Sequence, residues 1–194
     1  MALLIIGLIF FLGIHSVRVL APDWRQGFIN SKGSNAYKAL YSSLSIVGLV
    51  VLVIGYGQTR ESPQFIWFPP AVMAPIASLL VLIAFVLLIA AYVPGNRIKV
   101  VVGHPMAASV KIWAFAHLLA NGRLGDMVLF GAFLAWAVMN YTRSRKADSV
   151  QGVVRTSRNS LAIDSLTIAM GVVAWLVFAM WAHRRLIGVS PFGG

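Results

Sequence analysis

The stretch GHPMAASVKIWAFAHLLANGRLGDMVLFGAFLAWAVMN, residues 103–140, decides how the rest of the chain is interpreted. Pro105 predicts a helix start, because its fixed φ suits a first helical position and it has no amide hydrogen to leave unbonded. The Asn121-Gly122 pair predicts where that helix ends. About seventeen residues lie between, or about 25 Å at ~1.5 Å per residue, close to one bilayer crossing. A second apolar helix is expected from about Gly125.

The composition of the whole chain is typical of a polytopic membrane protein. Of its 194 residues, 59% are hydrophobic and 11% are charged, and the mean hydropathy is +0.84. The net charge of +11 does not indicate nucleic-acid binding, because the basic residues lie in short segments between apolar ones, where they report topology. Cysteine is absent, which excludes disulfides, thiolate nucleophiles and cysteine metal sites. Neither a nucleophile elbow nor an HExxH motif is present, so hydrolase chemistry is excluded as well.

Six apolar segments predict an all-α bundle of about six transmembrane helices, forming one domain over residues 1–194. The first segment lacks a small-residue cleavage pattern, so we expect a retained helix rather than a signal peptide. Small residues in the second segment, from Ser45 through Gly48 and Leu52 to Gly55, predict a close helix-packing seam. The long polar stretch 142–165 is a candidate for a short interfacial helix. The predicted spans are residues 2–20, 40–57, 71–93, 105–120, 125–141 and 166–187.

The distribution of lysine and arginine predicts the orientation of the chain. With six spans, eleven of these residues fall on one side, four fall on the other, and Lys111 lies within a span. The side richer in basic residues is expected to face the cytoplasm. Both termini are therefore predicted to be non-cytoplasmic.

Every candidate for chemistry involves one of four histidines: His15, His104, His117 and His183. Each one alone is explained by a neutral imidazole that hydrogen-bonds a neighbouring helix. Four of them in a chain of this size favour at least one functional site. At ~100° per residue, His104 and His117 face directions about 140° apart on their helix.

The neighbours of these histidines define two polar faces on the central helix. Lys111 lies within about 20° of the direction of His104, and Trp113 lies one turn before His117. A lysine inside a span is costly, which predicts that Lys111 faces a cavity. Arg18, one turn after His15, is interpreted either as a membrane anchor or as a ligand for a propionate or a lipid phosphate.

Five segments together resemble the NnrU family of integral membrane proteins. They are IHSVRVL (14–20), GHPM (103–106), KIWAFAHLLANG (111–122), LFGAFLAWA (129–137) and HRRLIGVSPF (183–192). The same architecture includes the plant zeta-carotene isomerase, a haem b enzyme. This resemblance implies that His15 and His117 are axial ligands of a haem iron. Many relatives have arginine where this chain has Gly103, and the plant enzyme has a cysteine where this chain has Ala114, so that alternative ligand is absent here.

The resemblance implies a haem-binding protein of the bacterial inner membrane, associated with nitrite or nitric oxide metabolism in denitrification. Its expected partners are membrane lipid and either a redox partner or a nitrite or nitric oxide reductase. A haem-dependent isoprenoid or carotenoid isomerase, a non-catalytic assembly factor and an S-adenosylmethionine-dependent methyltransferase are the alternatives. Trp113, Arg18, Lys111 and His104 complete the candidate cofactor-binding set.

The second axial ligand remains open between two histidines. In upright helices with flush ends, His15 and His117 would differ in depth by roughly 10 Å at ~1.5 Å per residue. His104 is nearer to His15 in depth and is therefore the rival ligand. Because the chain has no cysteine and no CxxCH motif, the haem is expected to be of the b type.

Overall fold

The computed structural model describes residues 1–158 and 160–192. Within these residues the regular structure is helical, and the only strand-like feature is an isolated bridge between Phe65 and Arg123. Five helical stretches are long and apolar enough to cross a membrane, and Pro105–Ala120 is a shorter apolar helix. The predicted all-α polytopic fold of about six spans is confirmed.

The helix bounds follow the predicted spans closely and add shorter elements between them. A π-helix, Phe178–Ala182, joins the last two α-helices into one continuous stretch. The α-helices in chain order are α1 (Ala2–Leu20), α2 (Pro22–Lys32), α3 (Ser34–Glu61), α4 (Met73–Tyr92), α5 (Arg97–Val102), α6 (Pro105–Ala120), α7 (Leu124–Val150), α8 (Leu161–Val177) and α9 (His183–Ile187).

Helix α2 lies between the first two predicted spans, where no helix is predicted. Pro22 at its start and Asp23 in its first turn both favour a helix N-terminus. Trp24 and Phe28 lie one turn apart with ring centroids separated by 5.7 Å, so the helix presents an aromatic face. Its other residues are mostly polar, which is why a search for long apolar segments misses it.

The predicted polar segment 142–165 also differs from the structure. Helix α7 continues past Tyr141 to Val150, and the Thr142 hydroxyl donates a hydrogen bond to the Val138 carbonyl within it. Residues 153–158 have no regular secondary structure, and α8 begins at Leu161. The expected short interfacial helix is therefore an extension of the fifth span instead.

The described chain divides into two compact units. Unit 1 comprises residues 1–67 and 123–132, and unit 2 comprises residues 68–122 and 133 onward. Helix α7 contributes its first part to unit 1 and its remainder to unit 2. The assignment of one domain to residues 1–194 stays a prediction.

In unit 1, α1 and α3 pack closely and run antiparallel. A Cβ added to Gly7 would lie 2.6 Å from the Leu52 Cα, and one added to Gly55 would lie 2.6 Å from the Leu3 carbonyl carbon. Gly48, Leu52 and Gly55 are buried, which confirms most of the predicted seam. Such close approach of backbones stabilises helix pairs in lipid through dispersion contacts.

In unit 2, α4 packs against both α6 and α8. The buried residues of α4 are mainly small, with Ala84 and Ala90 at 2% and 0% exposure. Gly171 of α8 approaches Val86 of α4 so closely that a Cβ on this glycine would lie 2.6 Å from the Val86 Cα. Small residues on α4 and α8 therefore bring these helices close together, and α4 also packs against α6, which has His104 at its N-cap and carries His117.

Candidate functional site

His15 lies on α1 in unit 1 and is half-buried. Its Nδ1 is 2.7 Å from the Phe11 carbonyl oxygen, one turn earlier. Because a carbonyl only accepts, Nδ1 carries the proton and donates it. The imidazole lies 4.2 Å from the Phe11 ring and meets the Tyr41 ring edge-on at 5.4 Å, centroid to centroid.

His117 lies on α6 in unit 2 and has the same local arrangement. Its Nδ1 donates to the Trp113 carbonyl oxygen at 2.8 Å, and its ring lies 5.0 Å from that of Trp113. The Trp113 ring is held in turn by the edge-on ring of Phe133 at 5.5 Å. Asn121 caps the helix, since its backbone N–H and its side chain both donate to the His117 carbonyl.

These two histidines share a motif in which an aromatic residue precedes the imidazole by four positions. The aromatic residue supplies both the carbonyl that accepts from Nδ1 and the ring beside the imidazole. A neutral imidazole with its proton on Nδ1 carries its lone pair on Nε2. Metal-ligating histidines commonly donate their other ring N–H to a backbone carbonyl in this way.

His104 is arranged differently, at the N-cap of α6. Its Nε2 is 2.7 Å from Oδ2 of Asp148 near the end of α7. The Arg155 guanidinium donates to the same carboxylate oxygen and lies 3.3 Å from the histidine Nε2. The three side chains are partly buried, with exposures of 29%, 18% and 21% for His104, Asp148 and Arg155.

Lys111 and His104, predicted to share a face of α6, contact the same tyrosine. The Lys111 ammonium lies 4.6 Å from the centroid of the Tyr141 ring, a cation–π distance. The His104 ring meets the Tyr141 ring edge-on at 6.5 Å. The Tyr141 hydroxyl donates to the Val102 carbonyl at 2.9 Å, so the ring is fixed between α5, α6 and α7.

The remaining candidates lie apart from these arrangements. Arg18 is exposed in the last turn of α1, three positions after His15. His183 donates from Nδ1 to the Val189 carbonyl at 2.8 Å, and its ring meets Phe178 edge-on at 5.8 Å. This histidine therefore holds the C-terminal tail against the last helix.

Sequence reasoning missed two polar clusters. It did not place Asp148, Arg155 and Tyr141 around His104, and it passed over a second cluster in unit 1. There Asp126 is only 3% exposed and accepts a hydrogen bond of 2.6 Å from the Tyr56 hydroxyl. The sequence did contain a clue to this second cluster. Asp126 is one of only five acidic residues in the chain and lies on a candidate membrane helix, where ionisable groups are costly and usually paired.

The chemistry of the histidines fits imidazole ligation of a haem iron. Among residues 1–158 and 160–192, no group of three or more His, Cys, Asp or Glu side chains is arranged to hold a metal ion. A haem needs only axial ligands from the protein. His15 and His117 each donate from Nδ1 to a backbone carbonyl, which leaves Nε2 as the nitrogen of each imidazole that could ligate an iron.

Comparisons with curated proteins and with solved structures found no match to this chain. The family described as NnrU protein matches residues 3–191, which is nearly the whole chain. The resemblance expected from the histidine-containing segments is therefore confirmed. This polytopic helical chain belongs to the NnrU protein family.

Proposed function

We propose that the protein is a haem b-binding membrane protein that uses His15 and His117 as axial ligands. The observation that carries this proposal is the shared local motif, in which each Nδ1–H donates to the carbonyl of an aromatic residue four positions earlier. This hydrogen bond sets the tautomer, orients the ring and raises the basicity of Nε2. Neither His104 nor His183 has it.

The aromatic neighbours support the same assignment. The Phe11 ring beside His15 and the Trp113 ring beside His117 shield one side of each imidazole. When bound, haem would supply a redox-active iron, whose potential depends on the ligands that hold it. The proposed physiological role is support of nitrite or nitric oxide metabolism.

An absorption spectrum of the purified full-length protein, before and after dithionite, tests haem binding. We expect a Soret band and the two sharp visible bands of a reduced bis-imidazole haem. Nitric oxide added to the reduced protein is expected to shift these bands only where it displaces one of the two imidazoles. Absence of a Soret band in haem-supplemented wild type would refute the proposal.

A pair of matched variants tests the role of His15. His15→Ala is expected to lose most of the bound haem. His183→Ala removes another imidazole near the end of a helix and is expected to retain the wild-type haem content. Equal haem content in the two variants would exclude His15 as a ligand.

A further inference from the structure

The tail that follows α9 folds back along the last membrane-spanning stretch. The His183 imidazole donates from Nδ1 to the Val189 carbonyl at 2.8 Å, directly after Gly188, whose φ is 79°. The Phe192 ring then meets the Trp175 ring edge-on at 6.1 Å, centroid to centroid. Because Trp175 precedes His183 by about two helical turns, the tail runs back beside the helix.

A cavity of about 420 Å³ lies between this tail and the helix. Ligand pockets in proteins usually have volumes of about 300–1,000 Å³, so the cavity is at the small end of that range. Apolar side chains line it together with one guanidinium and one hydroxyl, and the lining residues are Leu176, Ala179, Met180, Arg184, Ser190 and Phe192. Ala179 is buried, and its single methyl group leaves room between the larger side chains.

One wall of the cavity is built on the π-helix Phe178–Ala182. The backbone N–H of His183 donates to the Phe178 carbonyl, five positions earlier, which is the hydrogen-bond spacing of a π-turn. Ala179 and Met180 of this segment line the cavity. Single π-turns within α-helices frequently occur at functional sites, so the irregular turn and the cavity together mark this region as a candidate binding site.

The charged group of the cavity is the guanidinium of Arg184. Within the described part of the chain, no carboxylate forms a salt bridge with Arg184. The adjacent Arg185 differs, because its guanidinium lies 4.7 Å from the centroid of the Trp181 ring, a cation–π distance. A guanidinium at a cavity that contains no carboxylate is suited to binding an oxyanion, which it can hold through two parallel hydrogen bonds.

The apolar groups of the cavity lie toward the membrane side of this cation. Leu176 lies about two helical turns before Arg184, within the stretch Leu161–Ile187 that is long and apolar enough to cross a membrane. Arg184 lies in the last turn of that stretch. Met180 and Phe192 are 73% and 54% exposed, so both retain apolar surface for a ligand. This order of apolar and cationic groups complements an amphiphile whose headgroup lies at the membrane interface.

We propose that this cavity binds a single-chain amphiphile with an acidic headgroup, such as a fatty acid. The Arg184 guanidinium binds the carboxylate, and the Ser190 hydroxyl donates a further hydrogen bond to it. The hydrocarbon chain contacts Leu176, Met180 and Phe192. The small volume favours one hydrocarbon chain over the two of a bilayer phospholipid. The site is independent of haem binding.

Native mass spectrometry of the full-length protein in detergent, with hexadecanoate and hexadecanol as probes, tests this site. The two probes share a hydrocarbon chain and differ in the charge of the headgroup, and wild type is expected to retain hexadecanoate preferentially. Arg184→Gln should lower the affinity for hexadecanoate by roughly tenfold, the usual contribution of a hydrogen bond to a charged group, and should leave hexadecanol retention unchanged. The matched control Arg185→Gln removes the adjacent charge and should keep the wild-type preference.

Equal losses of hexadecanoate in Arg184→Gln and Arg185→Gln would overturn the site in favour of general charge attraction. Phe192→Ala removes an apolar wall and should weaken retention of both probes, and an unchanged retention of both would show that the chain binds elsewhere. Displacement of hexadecanoate by acetate at equal concentration would overturn the amphiphile in favour of a small anion, and displacement by phosphatidylglycerol would overturn it in favour of a bilayer lipid. Equal retention of the two probes by wild type would overturn the acidic headgroup.

Discussion

His104 and His117 belong to the same apolar segment, yet their imidazoles are held through different nitrogens. His117 donates from Nδ1 to a carbonyl within its own helix. His104 has its Nε2 hydrogen-bonded to Asp148, which lies 44 positions away in the chain. One histidine is thus oriented by its helix alone, whereas the other joins the start of α6 to the end of α7.

This difference shows how a shared residue type acquires separate roles. An imidazole whose Nδ1 proton is donated locally has its lone pair on Nε2, the tautomer that metal-ligating histidines commonly adopt. An imidazole whose Nε2 faces a carboxylate and a guanidinium contributes to the cohesion of a polar cluster. We therefore expect the two histidines to respond oppositely in assays of haem content and of stability.

The largest expected effect is on haem content. His117→Ala should lose nearly all bound haem, whereas His104→Ala should retain it. Pyridine haemochrome content per protein chain measures both variants. If the bis-imidazole spectrum survives His117→Ala but collapses in His104→Ala, then His104, and not His117, is the haem ligand.

The next effect concerns stability. Asp148→Asn should lower the melting temperature, because partly buried Arg155 then loses its carboxylate partner and a polar network is broken. Asp164→Asn is the matched control, and its smaller expected cost follows from the 43% exposure of its partner Arg97. Melting temperatures in detergent measure both. A larger fall in melting temperature for Asp164→Asn would show that the His104 cluster stabilises the protein less than the Arg97–Asp164 pair does.

Gly103→Ala tests whether the backbone conformation before His104 stabilises the cluster around this histidine, because Gly103 immediately precedes it. The substitution is expected to cost about 1–2 kcal/mol for the positive φ alone, and its Cβ would also displace the Arg145 guanidinium. Gly131→Ala serves as the control, since a Cβ there meets no atom within 4 Å and alanine favours a helix interior. Melting temperatures that fall equally in the two variants would contradict this account.

The smallest expected effect is that of a variant that separates the Trp113 ring from the Trp113 backbone carbonyl. Trp113→Leu removes the ring but keeps the backbone carbonyl that accepts from His117. Haem content should stay near the wild-type value, with only a small shift of the visible bands. Phe115→Leu, an exposed neighbour on the same helix, controls for altered lipid contact. Complete haem loss in Trp113→Leu would show that the ring, and not the carbonyl, orients the imidazole.

The sequence predicted α6 to the residue, because Pro105 and the Asn121-Gly122 pair bound an apolar run unambiguously. It did not predict α2 or α5, because helices of 11 and 6 residues lack the apolar length by which membrane spans are recognised. Helical geometry placed Lys111 and His104 on one face, and both contact Tyr141.

The partners of His104 were beyond sequence reasoning for a physical reason. Asp148 and Arg155 come from the end of α7 and from the irregular segment after it, so their meeting with His104 depends on tertiary packing. The hydrogen bonds of His15 and His117 are local, at four-residue spacing. An aromatic residue four positions before a histidine is a pattern that the sequence already displays.

The glycine-lined contact between α1 and α3 has a consequence for biogenesis. This contact involves only α1 and α3, which end at Leu20 and Glu61. Both helices are therefore available to pack as soon as α3 has left the ribosome. Domains assemble from the N-terminus during synthesis, and antiparallel neighbours in lipid hold together through backbone proximity. The two helices can therefore enter the bilayer as a preassembled hairpin, with His15 already in place before the segment that carries His117 is translated.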